Sequence, residues 1–105
     1  MITIEALQAM NQPEHIAITE HARLRLWERG ITAEDIISSI ASGEIIRQYE
    51  DDKPFPSCLL LGRNTGGRHI HVVVSHDDEF IYLITAYYPD LNVWQADLKT
   101  RKERP

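Results

Sequence analysis

Gly66-Gly67-Arg68-His69-Ile70-His71-Val72-Val73-Val74-Ser75 decides how this chain is read. A glycine turn runs into a β-branched segment, which favours a strand. Side chains alternate faces along a strand, so His69 and His71 share one face while Ile70, Val72 and Val74 share the other. The apolar face is built to pack. The opposite face carries two imidazoles, whose unperturbed pKa lies near neutrality. If helices cover only the apolar face, His71 lies half-exposed on the open face. Its truncation then costs no more than about 1 kcal/mol of stability.

Three further segments have strand character: Glu44 to Glu50, Ser57 to Arg63 and Phe80 to Tyr87. The connectors Asp51-Asp52-Lys53-Pro54, Asn64-Thr65-Gly66-Gly67 and His76-Asp77-Asp78-Glu79 are too short for anything but antiparallel neighbours. Before Gly43 the period is helical. Thr32 caps a helix whose Ala33, Ile36, Ile37, Ile40 and Ala41 fall on one stripe, with Asp35 placed for a capping box. Thr19 caps another helix over about 20–29, stopped by Gly30. Residues 3–11 form a short third helix ended near Pro13. The expected fold is therefore α+β: two or three N-terminal helices packed on one face of a four-stranded antiparallel β-meander. Val93 to Lys102 reads as a short helix or an extended arm.

A chain of 105 residues is one domain, spanning 1–105 with an N-terminal segment 1–14 and a basic tail 99–105. The apolar fraction of 43% suits a soluble globular protein, and no apolar run approaches a bilayer span. The start Met1-Ile2-Thr3-Ile4-Glu5 lacks signal-peptide character, and the single Cys58 lies in a strand-like segment. Both favour a reducing cytoplasm and no membrane partner. Net charge is −5; residues 99–104 hold four cations against Glu103, a local +3, which leaves −8 on the rest. The tail is either a solvated terminus or a basic arm for nucleic acid or an acidic partner.

Several residues are candidates for chemistry. On the 20–29 helix, His21, Arg25, Glu28 and Arg29 form a polar stripe. It is either a solvated face tied by ion pairs or a guanidinium and imidazole presented to a phosphate or carboxylate. His69-x-His71 is open to three roles: half of a metal site, a structural imidazole, or an acid–base or phosphate contact. A zinc site needs more ligands than this pair, and His76, Asp77 and Asp78 stand beyond the strand. Tyr87 or Tyr88 projects a phenol where Pro89 ends the last strand, as a rim residue or a proton donor. No phosphate-binding glycine loop, nucleophile elbow or zinc-finger motif is present.

Taken together, His21-Ala22-Arg23-Leu24-Arg25, Glu28-Arg29-Gly30-Ile31, Gly43-Glu44-Ile45-Ile46, Tyr49, Asp52-Lys53-Pro54-Phe55-Pro56-Ser57, Gly62, His71-Val72-Val73-Val74, Ile84-Thr85-Ala86-Tyr87-Tyr88-Pro89-Asp90 and Trp94 resemble the family catalogued as domain of unknown function 4258, over roughly residues 15–102. The resemblance implies a RelE/ParE-like toxin fold, a neighbouring YgiT-type zinc-ribbon antitoxin as partner, and RNA or the ribosome as target. Only His71 of the two strand histidines is carried over.

The resulting expectation is a toxin-like component of a type II toxin–antitoxin module, a metal-independent ribonuclease acting on mRNA without a cofactor. His71 is its base or acid, Arg25 and His21 contact phosphate, and Tyr88 is a proton donor. A homodimer or an antitoxin complex is expected from an open sheet edge. The alternative is a non-catalytic binding protein that offers its sheet face or edge to a protein partner. A small metal-dependent hydrolase is a third class.

Overall fold

The computed structural model describes residues 1–103. Three α-helices cover one face of a sheet: α1 (Ile4–Ala9), α2 (Glu20–Glu28) and α3 (Ala33–Ala41). The strands are β1 (Ile16–Ile18), β2 (Glu44–Tyr49), β3 (Ser57–Arg63), β4 (His69–His76) and β5 (Ile81–Tyr87). They lie in the order β1-β5-β4-β3-β2. The fold is α+β as expected, but the sheet is five-stranded and mixed rather than four-stranded and antiparallel. The additional strand, β1, runs parallel to β5, with Ile16 opposite Ile81 and Ile18 opposite Leu83. Three residues show no period, so nothing in the sequence marks them; pairing with the outer edge of β5 makes them a strand.

The helix caps follow the sequence. Thr19 Oγ1 accepts from the Ala22 N–H, and Gly30 takes φ +68°. Thr32 and Asp35 form a reciprocal capping box. The Asp35 carboxylate also accepts from the Thr65 N–H at 3.0 Å and the Thr65 hydroxyl at 2.8 Å, which ties the start of α3 to the β3–β4 turn. Burial raises the Asp35 pKa, but the bonds from Thr32 and Thr65 outweigh it and hold the carboxyl below its usual range.

The expected packing of α3 on the sheet is present. Ile36 and Ile40 are fully buried in one cluster with Ile70, Val72 and Val74, while Ile37 is half-buried and Ala33 and Ala41 are exposed. The helix backbone comes very close to β3: a Cβ on Gly62 would stand 2.1 Å from the Ser39 carbonyl oxygen. Only glycine permits that contact. At the other end, Gln8 Nε2 of α1 donates to the Ile40 and Ala41 carbonyls and Asn11 Nδ2, just beyond α1, to the Ile37 carbonyl, which ties the N-terminal segment to the last turns of α3. Cys58 is buried in the core, where burial pushes its thiol up to about 12.

Two β-bulges set which side chains face away from the helices. In β2 the register jumps from Ile45 opposite Leu60 to Arg47 opposite Leu59, leaving Ile46 as the extra residue. In β5 it jumps between Thr85 opposite Val73 and Leu83 opposite Val74, leaving Ile84 extra. Leu83 and Ala86 thus both face the core, and Tyr87 stands opposite His71 on the helix-free face. Arg47 and Tyr49 share that face.

The segment after Pro89 is neither helix nor open arm. It folds into a strap across the helix-free face, with Trp94 bridged to Arg101 and a turn in which Asp97 accepts from the Lys99 and Thr100 N–H groups. Lys99 of the basic tail pairs with Glu44 at the start of β2, 2.7 Å away; Arg104 and Pro105 lie outside the described residues.

Candidate functional site

His71 is not on an open surface. The strap covers it, and it is fully buried. Its ring stands edge-on to Trp94 with centroids 4.5 Å apart and edge-on to Tyr87 at 5.3 Å. Nε2 lies 2.7 Å from the Leu98 carbonyl oxygen, and Nδ1 lies 3.2 Å from the Tyr87 hydroxyl. A carbonyl only accepts, so Nε2 carries the hydrogen. Neutral Nδ1 then offers its lone pair, and the Tyr87 hydroxyl donates to it. Burial holds the imidazole below the usual histidine range, against the Leu98 carbonyl, which favours the charged form. Leu98 takes φ +60°, a conformation costly for a side chain with a Cβ, at the residue whose carbonyl meets His71.

In front of this pair is a cleft of about 430 Å³ between the sheet and the strap. Arg47 and Tyr49 from β2 and Tyr87 from β5 form its sheet wall; Tyr88, Asp90, Val93, Trp94 and Arg101 complete it. The Arg47 and Arg101 guanidinium carbons stand 5.9 Å and 5.7 Å from the Trp94 ring centroid. Those distances are at the outer limit of cation–π attraction. Neither arginine forms an ion pair among the described residues. Burial first, then the neighbouring Tyr49, pushes the Tyr87 phenol above its ordinary range, partly offset by Arg101, Arg29 and Arg47. Arg29 reaches this end of β5 from the end of α2, donating to the Ala86 carbonyl at 2.8 Å and to Thr85 Oγ1 at 3.2 Å.

The four residues singled out from sequence do not converge. His71 sits one hydrogen bond behind the cleft. Tyr88 lines it, but its hydroxyl accepts from Asn64 Nδ2 at 3.0 Å, and the Arg68 guanidinium lies 3.8 Å over its ring. His21 and Arg25 lie on exposed positions of α2, outside the cleft lining, and Arg25 pairs with Glu28 at 3.4 Å. His69 shares the face of His71 but is exposed at the start of β4. The described residues hold no group of three or more His, Cys, Asp or Glu able to hold a metal ion, and no helix among them is long and apolar enough to cross a membrane.

Sequence reasoning missed Arg47, Tyr49, Trp94, Leu98 and Arg101. The i, i+2 spacing of Arg47 and Tyr49 puts them on one face of a strand, which was the available signal. No curated protein matches this chain, and no solved structure does. A family model, the domain of unknown function DUF4258, matches residues 18–88, more than half of the chain. The match contains the sheet wall of the cleft and Tyr88, and ends before the strap residues Asp90, Trp94 and Arg101. By that match, the chain belongs to the DUF4258 family.

Proposed function

We propose that this protein is the toxin-like component of a type II toxin–antitoxin module, with a RelE-like fold, and that it binds and cleaves single-stranded RNA in the cleft between sheet and strap. One observation carries the reading. Arg47 and Arg101 converge around Trp94 without a carboxylate partner among the described residues, in a chain with 16 acidic residues to draw on. Two guanidiniums outside any ion pair among the described residues, in a cleft whose lining holds one carboxylate, Asp90, leave a local excess of positive charge that favours an anion, and planar guanidinium donors suit a phosphodiester. The tyrosine-rich lining suits a nucleobase, because every base has a face to stack. The net charge of −5 makes any such contact local rather than a property of the whole surface.

The phosphate contacts in this reading are Arg47 and Arg101, replacing His21 and Arg25, which stand on exposed positions of α2 outside the cleft lining, Arg25 paired with Glu28. The partner is a zinc-ribbon antitoxin encoded beside it. Induced expression in a bacterial host tests the module: growth arrest with new RNA ends, relieved by the adjacent gene, supports it. Unimpaired growth with intact RNA contradicts it.

A second reading, a non-catalytic protein-binding module, draws on α2. Trp27 is 80% exposed and Leu24 54% exposed on that helix, and large apolar side chains this open are common in protein contacts. Purification without a co-purifying protein and a monomer at high concentration count against it.

A further inference from the structure

The helix-free face holds a second cleft, toward the opposite end of β4 from the first. His71 and Ser75 both point to that face, and the four residues between them span about 13 Å of strand. The strap covers the His71 end. At the Ser75 end the β2–β3 connection reaches past β3 and β4, so that Phe55 stands against Tyr82 of β5 with ring centroids 6.1 Å apart. Beneath it lies a cleft of about 600 Å³. Among the described residues, none lines both clefts. The walls are largely apolar: the Phe55 and Tyr82 rings are nearly parallel, and Ile84, the extra residue of the β5 bulge, is open beside them.

The polar groups of this cleft fall into two sets. Tyr82 donates its hydroxyl hydrogen to Asp77, and Asp52 accepts from the Ser57 hydroxyl. The other three lack an acceptor. Ser75 is only 6% exposed, yet its hydroxyl forms no hydrogen bond among the described residues. A polar group so buried is costly unless something bonds it. Thr19 Oγ1 accepts the Ala22 N–H and keeps its own hydrogen to donate. Lys53 forms no ion pair among the described residues. All three can donate, so the fitting occupant brings acceptor atoms. A purely apolar occupant would leave the Ser75 hydroxyl unpaired. Asp52 on the same rim weighs against a doubly charged phosphate.

We propose that this cleft is a second binding site, for a small flat aromatic carboxylate. An apolar hollow of this size with a few placed polar groups is the usual form of a small-molecule site. The ring takes the apolar walls. The carboxylate accepts from the Ser75 hydroxyl and is balanced by Lys53, with Thr19 a further donor at the edge. The site shares no residue with Arg47 and Arg101 and does not rest on the RNA reading.

The probes are 2-naphthoate and its neutral counterpart 2-naphthylmethanol, titrated into the whole chain and followed by backbone amide resonances in NMR spectra. Affinity is taken from the Phe55, Ser75 and Tyr82 resonances, so that any binding at Arg47 and Trp94 is read separately. Expected is saturable binding of 2-naphthoate at those three residues. It should be roughly threefold or more tighter than the alcohol, and Lys53→Gln should remove that difference. Ser75→Ala should weaken 2-naphthoate about tenfold, the loss of one hydrogen bond to a charged acceptor. Its unfolding temperature should not fall, because the hydroxyl removed has no partner in the protein. Absence of saturable shifts at Phe55, Ser75 and Tyr82 overturns the proposal. So does equal affinity for acid and alcohol, or unchanged affinity in Ser75→Ala.

Discussion

His71→Ala separates a buried imidazole from an exposed one. In the structure the ring is fully buried, makes two hydrogen bonds and meets two aromatic rings edge-on. Each hydrogen bond contributes about 1 kcal/mol net. Each aromatic contact adds about 0.5–1.5 kcal/mol beyond burial. The hole left by the ring adds a further cost, because strap and sheet relax only partly. A total of ~3–5 kcal/mol agrees with large-to-alanine truncations in cores. That is a substantial share of the ~5–15 kcal/mol holding a domain together. Urea denaturation of wild type and variant, with equal slopes, measures it directly. A loss under about 1 kcal/mol refutes the burial and restores the half-exposed histidine that strand alternation alone suggests.

Gly62→Ala places a Cβ 2.1 Å from the Ser39 carbonyl oxygen of α3, so the helix must move; we expect a loss of ~2 kcal/mol or more, read by thermal unfolding. Ile40→Asp puts an unpaired carboxylate among Ile36, Val72 and Val74, and unfolding by circular dichroism should show a loss of several kcal/mol, on the order of a buried charge. Lys99→Ala removes an ion pair whose side chains are 45% and 55% exposed, so stability should change by less than ~1 kcal/mol, and less still at high salt. His71 has a lowered native pKa against an unfolded value of 6.5. As pH falls through 6.5 the unfolded chain takes a proton that the native state does not. Stability should therefore drop from there downward until the native imidazole protonates. Denaturation midpoints across this range should show the drop in wild type and not in His71→Gln.

The helices and four of the strands could be read from local signals. Thr19, Thr32 and Gly30 mark helix ends, and the Ile36/Ile40 stripe finds the Ile70/Val72/Val74 face. The site was far less legible. Counting by twos along β5 puts Leu83 and Tyr87 on one face, and along β2 it puts Ile45 with Arg47 and Tyr49. The bulges at Ile84 and Ile46 reverse both assignments and turn Arg47, Tyr49 and Tyr87 away from the core. Nothing local announces a bulge without glycine. The strap was illegible for another reason: its shape depends on contacts with distant residues, Trp94 and Leu98 on His71 and Lys99 on Glu44. That same strap buries the histidine which alternation alone leaves on an open face.

The central claim is that Arg47 and Arg101 form a phosphate site. The salt dependence of single-stranded RNA affinity tests it most directly, compared between wild type and the Arg47→Gln/Arg101→Gln double variant. Each phosphate contact on a single strand contributes a slope of about −0.7 in log K against log salt. Removing both arginines should weaken binding and flatten the slope by about 1.4. An unchanged affinity and slope would contradict the account.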